Sequence, residues 1–320
     1  MNTQRIDVPG MPGNGMSTVS VGVMRMDVLS VTDAVAVVNA AQAAGIDSFD
    51  TADIYGFGVK RMHASSEVLG KALKEAGIER ESISIQTKAG NDVDYADGST
   101  NFYDFSEKHI LEEVDAELSV LQTDYVDSFL LHRPDVLMEP DEIAAAFAQL
   151  QEQGKVRHFG VSNMSAQMIE YLQSAIGQHL EINQVQFSMT HAGIVDEQEV
   201  LNTSDDGAPS RTSGLLPYMQ QHAMILQAWS PFQSGTDFGP YIDNPHYEEL
   251  NKALRAAATA YGTSVNAIVT AWMLRLPLRT QVVAGTMNPQ RLTEIAGGMG
   301  IELDRSSWYA LYKAAGHLLP

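Results

Sequence analysis

Short apolar runs recur along the chain, and a polar segment and then an amphipathic helical pattern follow most of them. The runs are too short for membrane spans, and each has the length of a single strand. Such runs are typical of parallel strands that are buried on both faces. The eight predicted strands cover residues 19–23, 48–50, 83–87, 128–131, 158–161, 184–187, 225–228 and 281–284.

The helical patterns between the runs carry one apolar stripe each and recognisable ends. Asp104 or Ser106 can cap the first helix and Ser165 the third, while Gly154 ends the second. Asn288 precedes a proline, as expected for a helix start. The stripes are Ile110, Val114, Leu118 and Leu121; Ile143, Phe147 and Leu150; and Met168 and Leu172.

Eight alternations of strand and helix, without a break in composition, predict an α/β fold. We expect a single-domain (β/α)8 or TIM barrel that takes in residues 1–320. Three segments rich in turn residues interrupt the pattern, at residues 91–103, 203–214 and 233–245. They lie inside the alternation, so we interpret them as loop excursions and not as domain linkers.

Composition narrows the classes of function. The 320 residues include no cysteine, which excludes disulfides and thiolate metal sites. The net charge of −20 argues against a nucleic-acid partner, although local cations can still hold an anionic cofactor. The first ten residues do not resemble a secretory signal, and no apolar run approaches the roughly 18 residues of a membrane span. We therefore expect a cytoplasmic protein without a membrane partner. No feature of the sequence indicates an oligomeric state.

Four reactive side chains fall at the ends of three consecutive predicted strands, where barrels carry their catalytic groups. Asp50 ends the second strand, Tyr55 lies in the loop beyond it, and Lys88 and His132 follow the next two strands. An ammonium beside a tyrosine lowers the pKa of its hydroxyl, and a carboxylate stabilises a buried lysine. Histidine can orient a substrate oxygen. The set predicts protonation of a carbonyl oxygen.

Later strand ends supply groups for a larger ligand. Ser162, Asn163 and Gln184 are neutral hydrogen-bonding residues that suit an amide, and Trp229 can stack on a flat ring. Arg291 lies in the first turn of the helix after the last strand, which predicts a phosphate site.

With these residues, the sequence resembles the aldo-keto reductase family from the first strand to near the C-terminus. The resemblance rests on "GIDSFDTADIYG" around Tyr55 and on "KVRHFGVSN", and "LLHRPD" is most similar to the YdhF-like branch of bacterial oxidoreductases. It implies NADP(H)-dependent reduction of a small-molecule carbonyl substrate, without a metal. Tyr55 is then the general acid, Lys88 and Asp50 tune it, and His132 orients the carbonyl.

The resemblance also implies a set of cofactor contacts. NADP(H) is preferred because Arg291 is kept, and NAD(H) is the alternative, because Met287 and Ile295 depart from the family pattern. The implied contacts are Ser162, Asn163, Gln184, Trp229, Ser230, Pro231, Phe232, Gly285, Thr286 and Arg291.

Substrate contacts are expected from the loops around the barrel mouth, at Met24, Arg25, Phe102 and Tyr103, with Phe232 as a further candidate. Two other functions remain open. One is a redox-sensing or regulatory protein that binds the cofactor with little turnover. The other is a metal-assisted hydrolase, for which the sequence offers no clear carboxylate–histidine cluster.

Overall fold

A computed structural model describes residues 5–199 and 214–319, and it confirms the predicted (β/α)8 barrel. Eight parallel strands close on themselves, and each of the eight apolar runs overlaps one of them. The strands are β1 (Val19–Gly22), β2 (Ser48–Asp50), β3 (Ser84–Ala89), β4 (Val126–Leu131), β5 (Val156–Ser162), β6 (Leu180–Gln186), β7 (Ile225–Trp229) and β8 (Arg279–Ala284).

The barrel closes where β8 pairs with β1, with Val282 opposite Val19 and Ala284 opposite Val21. Nearly every residue of these strands is buried. Burial on both faces explains why these strands are short and rich in apolar residues.

Helices surround the barrel, and their predicted caps are present. Ser106, and not Asp104, accepts a hydrogen bond from the first turn of its helix, and Ser165 and Asn288 do the same in theirs. The helices are α1 (Val31–Ala43), α2 (Ala64–Glu75), α3 (Glu107–Leu121), α4 (Pro140–Glu152), α5 (Ala166–Gln173), α6 (Gly193–Glu199), α7 (Leu215–Gln221), α8 (Glu248–Ala260), α9 (Val265–Leu274), α10 (Pro289–Ala296) and α11 (Arg305–Ala314). None of the helices in the described ranges is long and apolar enough to cross a bilayer.

Two hairpins lie outside the barrel sheet. Strands Arg5–Asp7 and Gly15–Ser17 pair directly before β1, so this hairpin covers the amino-terminal end of the barrel. Strands Asn91–Val93 and Thr100–Tyr103 pair just after β3, at the carboxyl end. The second hairpin is the predicted excursion at residues 91–103. The excursion at 233–245 contains a bridge between Gln233 and Pro240, and residues 203–213 of the third lie outside the described residues.

Candidate active site

The carboxyl ends of the strands open onto a cleft of about 1370 Å³. Most of the predicted site residues line it, although they come from loops spread over the whole chain. The predicted residues that line the cleft are Met24, Arg25, Asp50, Tyr55, His132, Ser162, Asn163, Gln184, Trp229, Ser230, Pro231, Phe232, Gly285, Thr286 and Arg291.

Phe102 and Tyr103 do not line the cleft, which corrects the expectation that they form part of the substrate pocket. The two residues are 57% and 36% exposed, because the segment folds as a hairpin whose second strand faces solvent. Other residues of the same hairpin border the cleft instead, namely Asn91, Val93, Gly98 and Thr100.

A buried ion pair forms the floor of the cleft. The Lys88 Nζ donates to the Asp50 Oδ1 at 2.7 Å and to the Thr51 carbonyl at 2.7 Å. Lys88 is fully buried and Asp50 nearly so. Burial alone would lower the pKa of Lys88, but the charge of Asp50 reverses this and the net pKa lies above its ordinary value. The lysine therefore stays an ammonium ion, and its hydrogen bonds offset the cost of removing it from water.

Beneath Asp50 lies a hydrogen-bonded group of four glutamines, which we call the glutamine layer: Gln86, Gln184, Gln227 and Gln281. The amides of Gln86 and Gln184 donate to the Asp50 Oδ1 at 2.6 and 3.0 Å. Gln227 exchanges hydrogen bonds with Gln86 and donates to Gln281. The strand register sets this layer, because Asp50 lies opposite Gln86, and Gln227 lies opposite both Gln184 and Gln281. The carboxylate thus has a fixed orientation.

Tyr55 lies in the turn after β2, directly above this ion pair. The Lys88 ammonium is 5.0 Å from the centroid of its ring. Burial raises the pKa of the hydroxyl above its usual value near 10, and the ammonium opposes the increase without cancelling it. Lys88 lowers the pKa of Tyr55, as the sequence predicted. The expectation that the pKa lies below its usual value is nevertheless wrong, because burial raises it by more than Lys88 lowers it.

His132 faces Tyr55 across the cleft, with ring centroids 6.0 Å apart and planes at 78°. Burial lowers its pKa well below the usual value, and the charges of Lys88 and Arg133 lower it further. The ring is therefore neutral near pH 7. Its Nδ1 is buried, without a hydrogen-bond partner in the described structure, and is 3.9 Å from the Asp53 Oδ1.

The side chains predicted for an amide ligand lie together beside this group. Ser162 donates to the carbonyl of Gln184 at 2.9 Å, and Asn163 accepts from the Trp229 Nε1 at 2.9 Å. Asn163 has a φ of 59°, a left-handed conformation that asparagine tolerates and that turns its side chain toward Trp229. The Gln184 Nε2 is used by Asp50 and Gln227. The side-chain oxygen of Gln184, Oε1, is the atom that remains for a ligand.

The opposite end of the cleft lies at the start of α10. The Asn288 side chain accepts from the Arg291 backbone N–H at 3.1 Å, and the Thr286 hydroxyl accepts from the Asn288 N–H at 3.2 Å. Backbone donors and an arginine at a helix start suit a phosphate group. Amide groups at one end, an aromatic ring on the wall and a phosphate site at the other end together fit a nicotinamide dinucleotide.

Sequence reasoning missed some residues that line the cleft. Arg133 directly follows His132 in "LLHRPD", and its position in that motif was the available signal. Asn266 comes from α9, and its amide donates to Glu294 beside the buried Ile295. Nothing in the sequence connects α9 with this end of the cleft. No group of three or more histidine, aspartate or glutamate side chains that could hold a metal ion occurs in the described ranges.

Comparison with known proteins identifies the family. The sequence profile of the Aldo/keto reductase family matches residues 18–315, so the chain belongs to this family. The family and the closed barrel define the chain as an oxidoreductase of the aldo-keto reductase type.

Individual relatives agree with this assignment. The chain is 32% identical to a 6-dehydroglucose reductase of Agrobacterium fabrum over 87% of this chain and 86% of that protein. It is also 32% identical to the oxidoreductase YdhF of Escherichia coli, over 85% and 83% of the two chains. A solved aldo-keto reductase from Klebsiella pneumoniae in complex with NADPH has the same fold, with a TM-score of 0.72 and 21% identity over 97% of this chain and 94% of that one.

Proposed function

We propose that the chain is an NADP(H)-dependent oxidoreductase that reduces an aldehyde or ketone to an alcohol, with Tyr55 as the proton donor. The observation that carries the proposal is the buried Lys88–Asp50 pair directly beneath Tyr55, with His132 on the facing wall. The NADPH complex of the Klebsiella pneumoniae protein supports the choice of cofactor.

The chain's own residues position the carbonyl and move the proton. When bound, the cofactor supplies a hydride from its nicotinamide ring to the carbonyl carbon. The Tyr55 hydroxyl, kept protonated by its raised pKa, donates its proton to the carbonyl oxygen. The Lys88 ammonium stabilises the phenolate that remains. The neutral His132 ring orients the carbonyl oxygen by hydrogen bonding.

Other residues hold the cofactor. Ser162, Asn163 and Gln184 bind the carboxamide, and Trp229 stacks against the nicotinamide ring. Arg291 and the start of α10 bind the phosphate of the adenosine end. Ser230, Pro231 and Phe232 cover the pyrophosphate, Thr286 joins Arg291 at the adenosine phosphate, and Gly285 is a further cofactor contact; all of them line the cleft.

The first test is the substitution Tyr55→Phe, which removes the proton but keeps the ring. NADPH and NADH are titrated by fluorescence, and the loss of NADPH absorbance is followed with a panel of aldehydes. The panel includes oxidised sugars, because one relative is named a 6-dehydroglucose reductase. We expect kcat/KM to fall about 10²- to 10⁴-fold, since general acid catalysis contributes that much. NADPH affinity should stay unchanged.

The matched control is Tyr171→Phe, because Tyr171 is an exposed tyrosine on α5, away from the cleft. Its kcat/KM should equal that of the wild type. Cofactor binding with equal turnover in Tyr55→Phe and wild type would contradict the proton-donor role. Binding without turnover of any aldehyde in the panel would favour the redox-sensing or regulatory alternative.

A further inference from the structure

The charge inside the cleft differs from that of the whole chain. The net charge is −20, yet the cleft is lined by three arginines, Arg25, Arg133 and Arg291. Of the lining residues described, only Asp50 and Asp243 are acidic. Asp50 is bound by Lys88, and Asp243 lies 3.4 Å from a guanidinium nitrogen of Arg255. The cleft is therefore a locally cationic surface on an acidic protein, which favours an anionic ligand.

Two of the three arginines have an assignment. Arg25 donates to the carbonyl of Gly285 at 3.1 Å and so links the loops after β1 and β8. Arg291 lies in the first turn of α10, at the end of the cleft proposed for the phosphate. Arg133 is the cleft arginine that still has no assigned role, and it directly follows His132 after the end of β4.

The guanidinium of Arg133 has no anionic partner in the described parts of the chain. Its carbon lies 5.5 Å from the centroid of the Trp229 ring, and the residue is half-buried. A partly desolvated cation is costly unless an anion pairs with it, and an aromatic face offsets only part of that cost. Its charge also reaches the reacting groups, since it contributes to the lowered pKa of His132.

We propose that the site takes carbonyl compounds that carry a carboxylate, and that Arg133 binds this carboxylate while Tyr55 and His132 hold the carbonyl oxygen. This inference rests on the proposed reductase function. A planar guanidinium forms paired hydrogen bonds with a carboxylate, which a point charge cannot match. Arg133 directly follows His132 and both line the cleft, so one substrate can contact both side chains.

The test compares two substrates that differ only in charge, para-formylbenzoate and its methyl ester, with NADPH and the full-length protein. The quantity measured is the ratio of kcat/KM for the acid to kcat/KM for the ester, in which losses common to both substrates cancel. We expect a ratio of about 10 or more in the wild type, given the strength of charge-assisted hydrogen bonds. In Arg133→Gln the ratio should fall about tenfold, mainly through KM for the acid.

Two further variants complete the design. Arg133→Lys keeps the positive charge but lacks the planar guanidinium group. Its ratio of kcat/KM values should lie between those of Arg133→Gln and the wild type. Arg305→Gln removes an exposed arginine at the start of α11 that does not line the cleft, and it should leave the ratio unchanged. Titration with NADPH verifies that each variant is folded and binds the cofactor.

Each other outcome overturns the inference. A wild-type ratio at or below one with good turnover of the ester contradicts the carboxylate preference and leaves the reductase function intact. An unchanged ratio in Arg133→Gln, combined with weaker NADPH binding, assigns Arg133 to the cofactor. An equal fall in Arg305→Gln attributes the effect to overall charge. No turnover of either aldehyde by the wild type counts against the proposed function and, with it, this inference.

Discussion

The floor and the mouth of the cleft are built in different ways. On the floor, Lys88 and Asp50 lie on strands and are buried. Lys88 donates to Asp50 and to the Thr51 carbonyl, and Asp50 also accepts from the glutamine layer. At the mouth, Arg133 and Trp229 stand at strand ends and in loops, are partly exposed and have few partners. The floor is fixed by the register of the sheet, whereas the mouth depends on loop conformation.

This difference separates reaction type from ligand choice. Because the floor residues lie on rigid strands, the charges of Lys88 and Asp50 stay in place and need no reorganisation during the reaction. A loop-borne mouth tolerates substitution, and its side chains can change without disturbing the barrel. We expect floor variants to lose both stability and turnover, and mouth variants to change affinity and selectivity alone.

The largest effect is expected for Lys88→Met, which leaves Asp50 as an unpaired buried carboxylate. Breaking a buried pair costs about 3–5 kcal/mol, so the free energy of unfolding should fall by that amount in urea titrations. Turnover should fall at least about 10²-fold, because the phenolate of Tyr55 loses its stabilising charge. The control is Lys155→Met, which breaks an exposed pair with Asp115 and should cost about 1 kcal/mol or less.

A double variant separates the two losses of Lys88→Met. Asp50→Asn combined with Lys88→Met removes the buried charge, so most of the free energy of unfolding should return. Turnover should not return with it. Recovery of turnover in the double variant would show that the ion pair only stabilises the barrel.

A smaller loss is expected for Gln227→Leu, which removes the centre of the glutamine layer. Gln86, Gln184 and Gln281 would lose hydrogen bonds, and each buried unsatisfied group costs about 1–3 kcal/mol. We expect a fall of about 3 kcal/mol in the free energy of unfolding, with a decrease in kcat because Asp50 is less well held. Gln233→Leu at the mouth should change stability by about 0.5 kcal/mol or less, and an equal loss in both variants would contradict the distinction.

The smallest effect is expected for Asn266→Ala at the far end of the mouth. Asn266 brings an amide to the region of Ile295 at the cleft lining. Loss of one hydrogen bond weakens binding by about 3- to 10-fold, so NADPH affinity should fall by that factor while kcat is unchanged. The control is Gln290→Ala, because Gln290 also donates to Glu294 but does not line the cleft. A change in kcat would contradict the assignment of Asn266 to the mouth.

The sequence predicted the barrel and the floor pair better than the mouth. Asp50 and Lys88 could be placed because parallel strands bring their carboxyl ends to one rim, whatever lies between them in the chain. The glutamine layer could not be predicted, since Gln86 and Gln227 are 141 residues apart and meet only through sheet register. Phe102 and Tyr103 were misplaced because loop composition does not reveal the hairpin that turns them outward. The net pKa of Tyr55 depended on burial, which one motif does not reveal.

The glutamine layer also constrains how the protein folds. Its members come from β3, β6, β7 and β8, and Gln281 reaches back to the carbonyl of Ser17, 264 residues away, and to Ser48. No short segment of the chain contains the layer, so the layer is complete only after the last strand has joined the sheet. Contacts of such long range form late, because the chain must first lose the entropy of large loops. During refolding, enzymatic activity should therefore appear together with barrel closure, after helical structure has already formed.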